Sequence, residues 1–143
     1  MEPLDLTKMP PRAPRLEVDG LAYLPRTIDK LRATLPGGNR GLYNLEGWSR
    51  RMMDAVGVTE EQMLAAVASA QSDEEVAAWL HAHARMEKYA EFTSYIFNYR
   101  VCDARANDPQ GYPQRYPIAA ERPDIVYHAD LLVADDQALF SKR

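Results

Sequence analysis

The sequence predicts an all-α fold, a compact array of five to six short helices carrying an extended, proline-rich N-terminal arm. Three observations carry this reading. Apolar residues recur at three- and four-residue spacing along most of the chain. Two hydroxyl residues, Thr59 and Ser72, stand three positions ahead of Gln62 and Glu75 in the pattern of a capping box. No stretch alternates apolar and polar residues long enough to mark a strand.

Residues 1–23 read as the arm, because Pro3, Pro10, Pro11 and Pro14 lack amide donors and restrict the residues before them. Asp19-Gly20 marks a turn within it. Pro25 suits the first turn of a helix, and Leu24, Ile28, Leu31 and Leu35 give that helix an apolar stripe over about residues 25–34. Pro36-Gly37-Gly38 ends it. A second helix is expected from about Leu45 to Val56, with Trp48, Met52 and Val56 on one face and Gly57 as a left-handed cap. Gly47 inside it would cost about 1 kcal/mol.

The two capping boxes open the third and fourth helices. Met63, Leu64 and Val67 stripe the first of these; Val76, Trp79, Leu80 and His83 stripe the second, which puts Trp79 in the core. An aromatic helix follows over about residues 87–102, with Phe92, Tyr95, Ile96 and Tyr99 in register. Between Asp108 and Pro123 four prolines allow only loop or short helical pieces. Asp124 caps a last helix, about Ile125 to Ala134, with Ile125, Ala129, Leu132 and Val133 as its stripe.

At 143 residues the chain has the size of one domain, and its 46% hydrophobic and 27% charged content exclude a disordered or low-complexity protein. No apolar run approaches the roughly eighteen residues that a membrane helix needs, so no membrane partner is expected. The N-terminus shows no secretory pattern. The single cysteine, Cys102, excludes an internal disulfide and suits a reducing, cytoplasmic setting. The net charge of -4 is uneven: residues 1–51 hold nine Lys or Arg against six Asp or Glu, and the remainder holds eight against fifteen. Either the two halves pack together and offset each other, or the basic end attracts an anionic partner. Nucleic acid is not expected, because the chain is acidic and lacks a basic stripe.

Several motifs fall short of chemistry. His81 and His83, two apart in a helix, point about 200° away from each other and cannot share a metal ion. Cys102, beside Arg100 and Arg105 but without a placed histidine, reads as a buried structural cysteine. A Gly-x-Ser-x-Gly elbow is missing. The piece from Pro36 to Gly41 lacks the Gly-Lys-Ser/Thr ending of a phosphate loop and reads as an ordinary loop, so no cofactor is implied.

The first third of the chain holds the most informative cluster. Arg26, Asp29, Lys30 and Ala33 share the face of the first helix opposite its apolar stripe, and the arm carries Arg12 and Arg15. Asp29 is spaced to pair with Arg26 or Arg32. If the arm folds over this face, Arg12, Arg15, Arg26 and Lys30 gather around one carboxylate. Buried cations need acceptors, so the surplus calls for an anionic ligand or for carboxylates from the acidic half. The ligand reading makes these four residues anion holders and Tyr43 and Trp48 pocket walls. Asp29 then orients an arginine or acts as a catalytic base. The chain would be a small-molecule binding protein or a small enzyme. The alternative is a non-enzymatic interaction module that uses the aromatic helix (Tyr89 to Tyr99) or the arm as its contact surface, with a second copy of the chain as one partner.

Asp5-Leu6-Thr7-Lys8-Met9-Pro10-Pro11-Arg12-Ala13-Pro14-Arg15 resembles the opening of the bacterial domain-of-unknown-function family 5069, Asp-Leu-Thr-Lys-x-Pro-Pro-Arg-Ser-Pro-Arg. Leu24-Pro25-Arg26-Thr27-Ile28-Asp29-Lys30-Leu31-Arg32-Ala33 is similar to that family's Leu-Pro-Arg-x-x-Asp-Lys-x-Arg-Ala. Arg122-Pro123-Asp124-Ile125 and the later Asp130-Leu131-Leu132 also fit, whereas the aromatic helix and Asn107–Tyr116 depart from it. The resemblance implies a single-domain bacterial protein and carries over no activity, substrate or catalytic residue.

Overall fold

The computed structural model describes residues 1–141. Among them the protein is mainly helical: α1 Leu24–Arg32, α2 Trp48–Val56, α3 Glu60–Ser69, α4 Asp73–His83, α5 Tyr89–Asn98, α6 Val101–Asn107, α7 Gly111–Arg115, α8 Ile118–Glu121 and α9 His128–Ser141. Two short strands, β1 Glu17–Val18 and β2 Leu21–Ala22, and a 3₁₀ turn at Met86–Lys88 complete it. The helices are therefore more numerous than expected, the last one runs longer, and a hairpin joins them.

The hairpin is built on the turn that Asp19-Gly20 announces. Both residues take left-handed backbone (φ 54° and 78°), the geometry whose twist matches paired antiparallel strands. Glu17 pairs with Ala22 and Val18 with Leu21. Two residues per strand are too few for alternation to show in sequence. The buried Thr93 hydroxyl of α5 clamps the turn in place, accepting from the Ala22 amide at 2.9 Å and donating to the Gly20 carbonyl at 2.9 Å.

α1 lies at the centre, and every residue from Leu24 to Leu31 is buried. Its Leu24, Ile28 and Leu31 belong to the main core together with Met52, Met53, Val67 and Leu80. Its polar side is covered by the arm, in which Pro11 and Pro14 are buried. A buried bond between the Thr27 and Ser49 hydroxyls, 3.0 Å, ties α1 to α2. Helix α2 starts at Trp48, not Leu45; Gly47 takes the cap position outside it, which avoids the cost of glycine inside. Gly57 ends it with φ 80°, as expected.

Thr59 and Gln62 form a complete capping box at α3. At α4 only half of one forms: Ser72 accepts from the Glu75 amide, while the Glu75 carboxylate turns to the Gln71 amide at 2.7 Å. The buried stripe of α4 is Val76, Ala77 and Leu80. Trp79 is half-buried and His83 exposed, which corrects the expectation for both. They flank the stripe and stack on each other with centroids 4.7 Å apart. Cys102 is exposed, also against expectation, because α6 buries Val101 and Ala104 instead.

The expected aromatic helix is broken. Tyr99 and Arg100 are extended and separate α5 from α6. The break pairs with the chain entering α9: Val101 N–H donates to Val126 O at 2.8 Å, and His128 N–H donates to Tyr99 O at 2.9 Å. This pairing also delays α9 to His128, so Ile125 packs from outside the helix. It joins a second, smaller core of Val101, Ala104, Tyr112, Ala119 and Leu131. The prolines between 109 and 123 admit α7 and α8 only as one-turn pieces.

The loop from Pro36 to Gly41 holds the arm. Leu6 N–H donates to Asn39 O at 2.8 Å and Asn39 N–H to Leu4 O at 3.0 Å, while the Gly38 amide bonds Leu35 O at 2.8 Å. The Gly38 and Asn39 amides of this loop are thus bonded within the protein. No helix among the described residues is long and apolar enough to cross a membrane.

Candidate functional site

A cavity of about 1300 Å³ opens where the main core meets the second one. Tyr23, Arg26 and Lys30 line it from the hairpin and α1, Trp48 from α2, Tyr95 and Tyr99 from α5, Tyr112 and Tyr116 from the proline-rich stretch, and His128 from α9. The exposed residues of its lining are of mixed charge, with Arg50, Arg51 and Arg115 beside Asp54 and Glu121. The charges it meets in the interior are cationic: Arg26 and Lys30 are 2% and 7% exposed.

Arg26 is internally paired. Its Nη1 donates to Asp136 Oδ2 at 2.8 Å and its Nη2 to Asp136 Oδ1 at 3.1 Å, with Asp136 itself buried in α9. Tyr43 donates its hydroxyl to the same carboxylate at 2.7 Å and stacks its ring near the guanidinium. Burial, the largest single influence, would depress the Arg26 pKa, but the bonds to Asp136 together with the fields of Tyr23, Asp136 and Tyr43 outweigh it and hold the group above its ordinary value. Arg26 Nε keeps an N–H with no partner among the described residues.

Lys30 is held differently. Its Nζ lies 3.3 Å from the Tyr23 hydroxyl, a long hydrogen bond, and no carboxylate among the described residues forms an ion pair with it. Burial pushes its pKa below the ordinary lysine value and the charge of Arg26 adds to that, against the opposing pull of Tyr23 and Asp136. Tyr23 reaches the amine from a left-handed backbone (φ 73°), a conformation a bulky residue adopts only at a cost of about 1–3 kcal/mol. Its ring meets Trp48 edge-on at 5.6 Å.

The far wall is aromatic. His128 sits under Trp48 with centroids 4.8 Å apart, and its Nδ1 lies 2.9 Å from the Tyr112 hydroxyl. Burial, reinforced by the charges of Arg115 and Arg26, pushes the His128 pKa down to about 4, so the ring is neutral near neutral pH. Burial likewise raises the Tyr116 hydroxyl to about 12. Trp48 donates its indole N–H to the Tyr95 hydroxyl at 3.3 Å, and Tyr95 stacks on Tyr99.

Of the residues singled out in the sequence, Arg26, Lys30, Tyr43 and Trp48 come together at this cavity. Arg12, Arg15 and Asp29 are not part of its lining. Arg12 forks between two carboxylates, donating to Asp29 Oδ1 at 3.0 Å and to Asp73 Oδ2 at 2.6 Å. The expected pairs of Asp29 with Arg26 or Arg32 do not form, because the arm delivers Arg12 to that carboxylate first and Arg32 bonds the Glu2 carbonyl. Arg15 bonds Asp130 of α9 at 3.0 and 3.1 Å and lies against the rings of Phe97 and Tyr127. The docked arm therefore brings its two guanidiniums to Asp29, Asp73 and Asp130 and not to Lys30. In α5, Tyr89, Phe92 and Ile96 are buried, while Met9 and Leu16 of the arm are exposed.

Asp136, His128, Tyr23, Tyr112 and Tyr116 were not singled out. Asp136 lies beyond the expected end of the last helix, and His128 stands far in sequence from His81 and His83 with no motif around it. Tyr112 and Tyr116 fall in the stretch that prolines made hard to read. No group of three or more His, Cys, Asp or Glu among the described residues could hold a metal ion.

A family described as a domain of unknown function, DUF5069, matches residues 8–138 of the chain. No curated protein matches it.

Proposed function

The chain belongs to the DUF5069 family, whose description carries no activity, and from the chemistry of the site we propose that the cavity binds a small organic anion. One observation carries the reading: a buried amine and a buried guanidinium, four residues apart on α1, both belong to the lining of one cavity, and the Arg26 Nε–H has no partner among the described residues. Residues at that spacing stand side by side on a helix, so both can reach one carboxylate or phosphate. Burial lowers the pKa of this amine, and an anion seated beside it opposes that shift, which biases binding toward proton uptake. Trp48, Tyr99 and Tyr116 supply ring surface for an apolar or aromatic body.

The remaining residues act through these two. Asp136 and Tyr43 fix the guanidinium of Arg26, leaving its Nε edge as the spare donor. Arg12 with Asp29 and Asp73, and Arg15 with Asp130, fasten the arm over α1 and to α9. Phenylpropionate, succinate and inorganic phosphate are the probes. At least one should raise the melting temperature in a saturable way, by about 2.7 kcal/mol of stability at about a hundred times its Kd. Lys30→Met, which keeps the side-chain volume, should remove the increment. A flat response of the folded protein to all three probes contradicts the reading.

A further inference from the structure

A lysine that is buried, lacks a carboxylate partner and touches a hydroxyl is chemically more than an anion holder. In its neutral form the amine is a nucleophile, and desolvation together with a neighbouring cation is how such an amine is kept neutral. Lys30 meets these conditions. It is 7% exposed and lines the cavity, its amine bonds the Tyr23 hydroxyl, and Arg26 stands one helical turn away. Burial and the Arg26 charge both act to lower its pKa. The other lysines of the chain are Lys8, Lys88 and Lys142, of which Lys8 and Lys88 are exposed. The strained backbone of Tyr23 is at the same point, holding the phenol against the amine.

The adjacency of Arg26 and Lys30 selects the electrophile. An anion held at Arg26 Nε and reacting at Lys30 Nζ must carry its carbonyl close to its anionic group, and an α-oxo acid has the two on neighbouring carbons. We propose that Lys30 condenses with the ketone or aldehyde carbon of an α-oxo acid bound in this cavity to form an imine. The idea rests on the anion-binding reading above and adds the substrate class and the reacting atom to it. The nitrogen lone pair forms the C–N bond while the C=O π pair moves to oxygen, which takes a proton through the Tyr23 hydroxyl. The resulting carbinolamine breaks its C–O bond as the nitrogen pair forms C=N. Both protons of the neutral amine leave with that oxygen as one water, so no oxidant or reductant is needed. The imine withdraws electrons from the neighbouring carbon on the side away from the carboxylate, which is the activation that removing a proton from that carbon, or cleaving its bond to the next carbon, requires.

The test is reductive trapping on the intact protein. Phenylpyruvate is added with sodium borohydride, which delivers hydride to the imine carbon and fixes the adduct as a secondary amine; intact-mass measurement and peptide mapping follow. We expect one adduct per chain, located at Lys30 and lost in Lys30→Met, with Tyr23→Phe trapping more slowly. Modification spread over Lys8 and Lys88 as readily as Lys30, or absence of an adduct, overturns the proposal. Phenylpropionate, the same skeleton without the ketone, separates the two claims. If it binds and phenylpyruvate is not trapped, the imine is excluded and the binding site stands. If neither binds nor reacts, both fail. Wild-type mapping decides the matter even if Lys30→Met does not fold.

Discussion

Arg26 and Asp136, 110 residues apart in sequence, form a two-pronged buried ion pair at 2.8 and 3.1 Å. It joins the central helix to the last one beside the cavity, and Tyr43 closes it with a third bond. Charge pairs of this kind are costly to bury, yet more costly to break on one side only. Asp136→Leu should therefore strand the guanidinium and lose about 3–5 kcal/mol in a denaturant melt. The double variant Arg26→Met/Asp136→Leu should recover much of that loss. A single variant within about 0.5 kcal/mol of the parent, the range of ordinary surface changes, would show the pair to be relaxed by water.

The same logic explains the charge asymmetry of the sequence. Arg12 with Asp73, Arg15 with Asp130, Arg26 with Asp136 and Arg50 with Glu60 all join the basic first third to the acidic remainder. Asp73 is held below the usual carboxylate range chiefly by its bond to Arg12. Because Arg12 is partly exposed, Asp73→Ala should cost only about 1 kcal/mol, but it should free the arm. Limited trypsin digestion should then cut after Arg12 and Arg15 faster than in the parent. Unchanged cleavage would mean that Asp29 and the buried prolines hold the arm unaided.

His128 gives the protein a pH signature. Its folded pKa is near 4 and its ordinary value 6.5, so between them the unfolded chain binds the extra proton. Stability should fall as the pH drops through this window, by about 3 kcal/mol from this residue alone. His128→Asn keeps a polar atom for Tyr112 and cannot take the proton, so its stability should be flatter over the same range. Urea melts of both proteins across the window would reveal parallel curves if His128 were solvated instead.

Trp79 serves as a control on packing. Its ring lies at the edge of the core against His83. Trp79→Ala should cost about 1–2 kcal/mol, below the roughly 3–5 kcal/mol of a fully buried aromatic. A loss in the higher range would place the ring fully inside.

What the sequence made legible was local. The capping box at Thr59, the left-handed Gly57 and the Asp19-Gly20 turn each involve residues within a few positions, and each appears in the structure. The gathering of Arg26, Lys30, Tyr43 and Trp48 was legible for a related reason, since two share a helix face and two lie on the segment returning to it. What escaped notice depends on distant pairing. The break at Tyr99 and Arg100 exists because Val126 and His128 bond there, and no pattern inside 87–102 announces it. The counter-ion of Arg26 came from a helix read as ending at Ala134. Trp79 and His83 fit the helical period equally well on a buried or a flanking face, and only the neighbours of α4 decide between them.

The central claim is that Lys30 is the anion-responsive group of this cavity. Calorimetric titration of phenylpropionate, run in two buffers of different ionisation enthalpy, tests it most directly. Tyr23, Arg26 and Asp136 contribute to the field at the amine, and Asp135 lines the same cavity. We expect saturable binding in the parent, with the buffer dependence of the heat in the direction of proton uptake because the anion offsets the burial that lowers the amine's pKa, and loss of both in Lys30→Met. Equal affinity in parent and variant, or no saturable heat with a folded parent, would contradict it.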